Sequence, residues 1–263
     1  MSYTVEKYQA TGNDFILTKT TPQDPRDFAK NVCDRHFGVG ADGLLYPVAS
    51  THADIGMRYF NADGSPAPMC GNGLRTFVHF VRRHGLVDKE TFTVETLGGL
   101  MHVKALDERV AITFEAPVSY PYAHTPAVPE VMRLTHGAHT YTLYLLRTGT
   151  DHAVLFTSDR SLIESLGEVL STHPVFPEGI NVNFVDVLDK TTLYVETFER
   201  GAGRTLSCGT GVTASAFVAH HLGHTDSQVS VQVPGGSLEV HCEEALRLIG
   251  PAKKIATIDW EDA

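Results

Sequence analysis

Met69-Cys70-Gly71-Asn72-Gly73 and Ser207-Cys208-Gly209-Thr210-Gly211 carry one pattern, a cysteine followed by Gly-x-Gly at the head of a long apolar segment. Each is preceded by a small-residue turn, Phe60-Asn61-Ala62-Asp63-Gly64 in one case and Phe198-Glu199-Arg200-Gly201-Ala202-Gly203 in the other. After Cys70, the residues Leu74, Phe77, Val78 and Val81 recur at i, i+3, i+4 and i+7, with Phe80 widening the apolar face. That spacing predicts a helix buried on most sides. Arg82, Arg83 and His84 in its last turn, followed by Gly85, are the expected C-terminal chemistry.

Other landmarks repeat with the cysteines. Cys70 and Cys208 stand 138 residues apart, as do the helix stops Gly85 and Gly223, and Leu44-Leu45-Tyr46 matches Val182-Asn183-Phe184 at the same offset. Gly12-Asn13-Asp14 and Gly149-Thr150-Asp151 are 137 apart, as are Gly98-Gly99 and Gly235-Gly236. A repeat this long is no solenoid unit, so it predicts two like domains. We expect an α+β fold of two pseudo-symmetric halves from an internal duplication, each a mostly antiparallel sheet or barrel around a central buried helix, the two facing each other about a pseudo-twofold axis.

Within the first half the pattern predicts strands over Tyr3 to Gln9 and Phe15 to Thr18, and a helix from the Asp24-Pro25 start towards His36. Further strands are expected at Leu44 to Val48, Ile55 to Phe60, Thr91 to Thr96, Leu100 to Ala105 and Val110 to Phe114. Ala116 to Pro129 carries four prolines and reads as a linker. The expected domains are therefore 1–116 and 130–263, joined by 117–129.

Composition narrows the function. The 263 residues carry a formal net charge of −10 and no Lys/Arg run, which argues against a nucleic-acid binder. Neither a signal-peptide core nor a run of membrane-spanning length is present, so no membrane role and a cytoplasmic location are expected. Four cysteines do not form a dense secreted framework. Cys33, in a helix pattern, and Cys242, in the alternating run Leu238 to Cys242, read as small buried apolar residues. His220 and His224 share a helical face without an evident third ligand, so they read as a solvated helix end, and no metal is expected.

A thiol at a helix N-terminus meets unpaired N–H groups and the positive end of the helix dipole, both of which favour thiolate. The following glycines give an anion such as an α-carboxylate access to backbone donors. Two such thiols on opposite faces of one carbon would suffice for stereoinversion: one removes a proton and the other delivers one, without metal or organic cofactor. His152, at the repeat-equivalent turn, and Glu199-Arg200, before Cys208, belong by position to the same cleft.

These residues together resemble the diaminopimelate epimerase family, nearly end to end. The likeness runs through Gly12-Asn13-Asp14-Phe15, Asp34 to Gly43, Phe60-Asn61-Ala62-Asp63-Gly64-Ser65, Cys70-Gly71-Asn72-Gly73-Leu74-Arg75, Asn181-Val182-Asn183-Phe184, Glu199 to Gly203, Cys208-Gly209-Thr210-Gly211 and Pro234-Gly235-Gly236. The resemblance implies a cofactor-independent isomerase that interconverts LL- and meso-diaminopimelate in lysine and peptidoglycan-precursor biosynthesis. It implies Cys70 and Cys208 as the acid/base pair, with His152 and Glu199 tuning or orienting them. Substrate contacts are implied at Asn13, Asn61, Gly71, Asn72, Asn181, Glu199, Arg200, Gly209 and Thr210, of which Asn61, Asn181 and Arg200 would hold the distal end of the substrate. It also suggests a homodimer.

Two departures bear on the substrate. Many members have Gly-Asn-Pro-His where this chain has Gly149-Thr150-Asp151-His152, and some carry glutamine in place of Gly43. A racemase of another amino acid, such as histidine, is the alternative with the same chemistry. A third reading is a module that binds an amino acid or senses redox state through a reversible Cys70–Cys208 disulfide.

Overall fold

The computed structural model describes residues 2–120 and 129–261. The chain divides into two compact units, residues 1–112 with 249–263, and residues 113–248. In the first, the hairpin β1 (Ser2–Ala10) and β2 (Asn13–Leu17) is followed by α1 (Pro25–Cys33), β3 (Gly43–Val48), β4 (Ile55–Asn61), α2 (Gly71–Arg83), β5 (Thr91–Thr96), β6 (Gly99–Leu106) and β7 (Arg109–Phe114). Strands β1–β2, β3–β4 and β5–β6 pair antiparallel; β2–β3 and β4–β5 pair parallel, each across an intervening helix as a parallel step requires.

The second unit repeats this order. After β8 (Val118–Ser119) and β9 (Glu130–His136) come β10 (His139–Thr148), β11 (Thr150–Phe156), α3 (Leu162–Ser171), β12 (Asn181–Asp189), β13 (Thr192–Glu199), β14 (Gly203–Thr205), α4 (Gly209–His221), β15 (Gln228–Val233), β16 (Gly236–Cys242) and β17 (Leu246–Pro251). Strands β10–β11, β12–β13 and β15–β16 are antiparallel, and β11–β12 and β13–β15 are parallel. The repeat seen in glycine and cysteine spacing is thus a repeat of strand connectivity, and the fold is α+β with a mixed sheet in each unit.

Both central helices are buried, α4 because its sequence leaves no wet face and α2 although Asn72, Arg75 and Thr76 are polar. In α2 every residue from Gly71 to Val81 is buried except His79. In α4 the small residues Ala214, Ser215, Ala216 and Ala219 let strands approach from several sides, and the helix packs on β10, β11, β12, β13, β15 and β16. Gly211 shows how close that approach is: a Cβ there would lie 2.2 Å from Asn183 Oδ1 on β12. At Gly73 the corresponding Cβ would lie 3.3 Å from the Phe15 ring. The second glycine of each Cys-Gly-x-Gly therefore serves helix-to-sheet packing. Apolar clusters complete the units, Phe28, Val32, Ile16 and Leu44 around α1, and Leu145, Leu155, Leu166 and Phe184 around α3.

Three expectations need correction. The first helix ends at Cys33, short of His36, because Asp34 Oδ1 accepts the N–H groups of His36 and Phe37, each at 2.7 Å, and closes a turn in place of another helical turn. The expected domain 130–263 loses its last stretch to the first unit. There β18 (Lys253–Glu261) pairs antiparallel with β1, from Ser2 opposite Glu261 to Gln9 opposite Lys253, and packs the partly buried Ile258 and Trp260 against the α1 cluster. The expected linker 117–129 contains β8, whose Val118 and Ser119 pair with Arg147 and Leu146 of β10, while its residues 121–128 lie outside the described residues.

Candidate functional site

Each unit builds a polar cluster where one hairpin turn, that of β1–β2 in the first and of β10–β11 in the second, meets the start of its central helix. In the first, Cys70 is the N-cap of α2, with extended backbone (φ −140°, ψ 125°). Its Sγ accepts the Gly73 N–H at 3.5 Å, and its thiol donates to Asn13 Oδ1 at 3.6 Å. Asn13 cannot turn over, because its Nδ2 donates to the Asp42 carboxylate, which leaves Oδ1 for Cys70 and for the Asn72 amide at 3.3 Å. Asp42 is held in turn by Arg35 at 2.7 Å, and the same guanidinium forks Asp14, which also meets Lys7 at 3.0 Å. Burial pushes the Asp14 carboxyl up, but Arg35 and Lys7 outweigh it and keep it below its ordinary range.

Beneath Cys70 lies Arg75, fully buried on α2. Its guanidinium donates to Asn72 Oδ1 at 2.8 Å, Thr11 Oγ1 at 3.0 Å, the Pro251 carbonyl at 3.2 Å and the Gly71 carbonyl at 3.4 Å. All four acceptors are neutral. Burial lowers its pKa to about 10, opposed by Cys70, so the guanidinium stays charged at neutral pH and its field favours thiolate at that sulfur. Thr11 sits at φ 48°, a left-handed conformation uncommon for a β-branched residue, and is held there with its hydroxyl against Arg75 and Asn72.

In the second unit Cys208, 7% exposed, caps α4 without a side-chain bond to the helix N–H groups. Its Sγ lies 3.4 Å from Thr210 Oγ1, and its thiol hydrogen-bonds the Glu199 carboxylate. Burial raises Glu199 above the ordinary carboxylate range, and the bonds from Thr205, at 2.7 Å, and Cys208 reduce the rise. Such a carboxylate is a better proton acceptor than a solvated one. His152 is completely buried on β11, and burial lowers its pKa to about 3, so the ring is neutral. It bonds Thr150 Oγ1 through Nε2 at 3.1 Å and Asn183 Nδ2 through Nδ1 at 3.2 Å. Asn181 donates to Thr150 Oγ1 at 3.2 Å and to the Asp151 carbonyl at 3.0 Å, and accepts the Arg200 N–H at 2.9 Å.

The structure joins Asn13, Asn72 and Cys70, with Gly71 the first buried residue of α2. It joins Cys208, Thr210, His152, Asn181, Glu199 and the Arg200 backbone through the contacts above and a 3.5 Å contact between Thr150 Oγ1 and Thr210 Oγ1, with Gly209 opening α4. Asn61 stands apart from the Cys70 cluster: its amide donates to Ser65 Oγ at 3.0 Å within its own turn. The Arg200 guanidinium donates to the Glu178 carbonyl at 3.0 Å and lines a cavity of about 550 Å³ with Phe176 and Phe198. Cys33 is buried, as expected, whereas Cys242 is only partly buried; burial pushes both thiols up to about 12. His220 Nδ1 faces the Thr225 carbonyl at 3.3 Å, and His224 packs edge-on against Phe156.

Three contributors escaped the sequence reading. Arg75 carried a signal, a lone charge inside the apolar run Leu74 to Val81. Asn183 alternates with Asn181 along β12, a polar residue where a central strand should be apolar. Thr150 departs from the family pattern, and no local sequence signal indicates its place between His152, Asn181 and Thr210.

The profile of the family described as diaminopimelate epimerase matches residues 5–117 and 144–255. The chain is 39% identical to the diaminopimelate epimerase of Alkaliphilus metalliredigens, over 97% of this chain and 96% of the relative. It is 40% identical to that of Caldanaerobacter subterraneus subsp. tengcongensis, over 90% and 91%. Among solved structures it resembles a PhzF-family phenazine biosynthesis protein from Bacillus anthracis, with TM-score 0.72, 17% identity and 100% of both chains covered. It also resembles a probable proline racemase from Agrobacterium radiobacter, with TM-score 0.71, 15% identity, and 98% and 93% covered. At such identities the structural likenesses speak for the fold.

Proposed function

This chain belongs to the diaminopimelate epimerase family and is an isomerase; from that premise we propose that it interconverts LL- and meso-diaminopimelate by a two-cysteine exchange of the α-proton. The observation that carries the reading is the repetition of chemistry with topology: at equivalent places a cysteine caps a buried helix and meets a polar residue of the hairpin turn or helix start. In the forward direction one thiolate takes the α-proton, giving a thiol and an enolate-like carbanion. The opposite thiol then delivers its proton to the other face and becomes the thiolate. No electrons are gained or lost overall, and the reverse reaction exchanges the roles.

Several features suit this chemistry. Arg75 and the Gly73 N–H favour charge on Cys70, and Glu199 stands against Cys208 as a proton acceptor. Backbone N–H groups in the first turns of α2 and α4 would hold the reacting α-carboxylate and the charge that spreads onto it, an effect worth about 10²–10³ in rate for one donor. Asn61 and Arg200 would reach the distal end, with Asn181 bracing Arg200. The step supplies a precursor of lysine and peptidoglycan. It requires reduced thiols, so we place it in the cytoplasm, and we propose that the enzyme is a homodimer.

A second substrate reading rests on Thr150, where a hydroxyl stands in place of a longer amide. Racemisation of another amino acid, such as histidine, would use the same cysteines. The test is α-deuterium uptake in D₂O by the reduced protein, with LL-diaminopimelate, L-histidine and other amino acids in separate samples. Exchange with inversion confined to diaminopimelate is the expected result; exchange with another amino acid alone would move the substrate. Cys70→Ala and Cys208→Ala should each lower inversion by at least about 10³, at the upper part of the range for acid–base catalysis. Near-normal turnover in either variant would end the two-thiol mechanism.

A further inference from the structure

The hydrogen-bond network behind Cys208 has a direction, and that direction can be worked out atom by atom. Asn183 is oriented at both ends: its Oδ1 accepts the Thr197 hydroxyl at 2.9 Å, and its Nδ2 donates to the Ala153 carbonyl at 3.2 Å. The second hydrogen on Nδ2 therefore points at His152 Nδ1, 3.2 Å away, and that ring nitrogen accepts. A neutral imidazole keeps one proton, which must then sit on Nε2 and be donated to Thr150 Oγ1 at 3.1 Å. Asn181 is oriented as firmly, with Oδ1 on the Arg200 N–H and Nδ2 on the Asp151 carbonyl, so its remaining N–H also goes to Thr150 Oγ1.

A hydroxyl oxygen accepts two hydrogen bonds and donates one. With both lone pairs of Thr150 occupied, its proton must be donated, and Thr210 Oγ1 lies 3.5 Å away. Thr210 is itself anchored, its carbonyl accepting the Thr148 hydroxyl at 2.9 Å. Once its oxygen accepts from Thr150, its own hydroxyl is directed to Cys208 Sγ at 3.4 Å. The repeat-equivalent wiring in the first unit has the opposite polarity, since Asn13 Oδ1 accepts a hydrogen bond from the Cys70 thiol.

We propose that Thr150 and Thr210 form a one-way donor chain, oriented by His152 and Asn181, whose last hydroxyl is donated to Cys208 Sγ and stabilises its thiolate. The idea deepens the two-cysteine reading and rests on it for significance, but its geometry stands without a substrate. Thr150 and Thr210 are positioning residues for this purpose.

The ionisable groups on the elements packed against α4 do not supply the same effect. Glu199 of β13 touches the sulfur but carries negative charge, and so opposes a thiolate unless it takes the proton. His152 of β11 is neutral, and Asp151 beside it is paired with Arg147 of β10 at 2.7 Å. Glu196 of β13 is paired with Arg204, Asp186 of β12 with Arg160, and Glu239 of β16 with His241. On α4 itself His220 faces the Thr225 carbonyl.

The test is a pH titration of Cys208 by ¹³C NMR on protein labelled at cysteine Cβ. A Cys70→Ser background removes the other candidate thiol, and a Cys70→Ser/Cys208→Ser control assigns the signal. Burial keeps Cys33 and Cys242 near 12, outside the titration window. Thr150→Val and Thr210→Val should each raise the Cys208 midpoint by about one pH unit, as expected for loss of a hydrogen bond to a charged acceptor. Thr150→Ser and Thr210→Ser, which keep the hydroxyl, should restore it. An unchanged midpoint in Thr150→Val would overturn the chain, as would serine variants shifted as far as the valine ones. Because no substrate is added, these outcomes are independent of whether the chain acts on diaminopimelate.

Discussion

His152 and Arg75 are two fully buried groups whose ionisation sets conditions on the fold. The folded His152 titrates near 3 against an ordinary value of 6.5. Between those values the unfolded chain binds a proton that the folded chain refuses, so stability should fall as pH drops from about 6.5 towards 3. His152→Gln should flatten this part of the stability curve, measured by urea unfolding at a series of pH values; the same slope in the variant would assign the dependence elsewhere. Arg75 is the opposite case, a charge retained inside. Arg75→Met would take the guanidinium away from Thr11 Oγ1, Asn72 Oδ1 and the Pro251 carbonyl, and should lower stability by about 3 kcal/mol. A loss under 1 kcal/mol in denaturant titration would mean that water replaces the guanidinium. Placement was legible where a motif carried it, as with Cys70 and Cys208 at the two helix N-caps and Glu199 beside Cys208. It was illegible for Thr150 and Asn183, whose roles depend on which atoms of distant strands they face.

At the level of elements, the two central helices sit against their sheets at different clearances, and this gives a paired prediction. Gly211→Ala would place a methyl group 2.2 Å from Asn183 Oδ1, within β12 and against the oriented amide. That contact cannot be relieved by a side-chain tip alone, because Asn183 is also bonded to Thr197 and Ala153. A cost of about 2–3 kcal/mol is expected, with activity falling as Asn183 releases His152. Gly73→Ala meets the Phe15 ring at 3.3 Å, which a small rotation relieves, and helix propensity offsets part of the cost, so the change should stay under about 1 kcal/mol. Thermal melts of the two variants compare them directly; equal losses would remove the asymmetry. Periodicity revealed α2 and its stop at Gly85, since its apolar face is regular. It could not reveal the end of α1, where the Asp34 side chain competes with the backbone for the same N–H groups.

For the whole molecule, the duplication was legible because both copies kept the same glycines and cysteines at the same spacing. The ownership of the last strand was not, because residues 253–261 alternate like any half-buried strand and nothing local says which sheet they join. Their partner is β1. Deleting residues 253–261 should therefore destabilise the first unit, and hydrogen exchange should show faster exchange of backbone amides in β1 and β2 than in β11 and β12. The reverse order would mean that β18 matters chiefly to the second unit. The pairing of Ser2 with Glu261 also has a consequence for biosynthesis. On the ribosome residues 2–9 emerge well before their partner strand, residues 253–261, is made, so their hydrogen-bonding edge stays open while the intervening chain is translated. During that interval the nascent protein presents an unprotected strand edge, the kind of surface that chaperones cover and neighbouring nascent chains can invade.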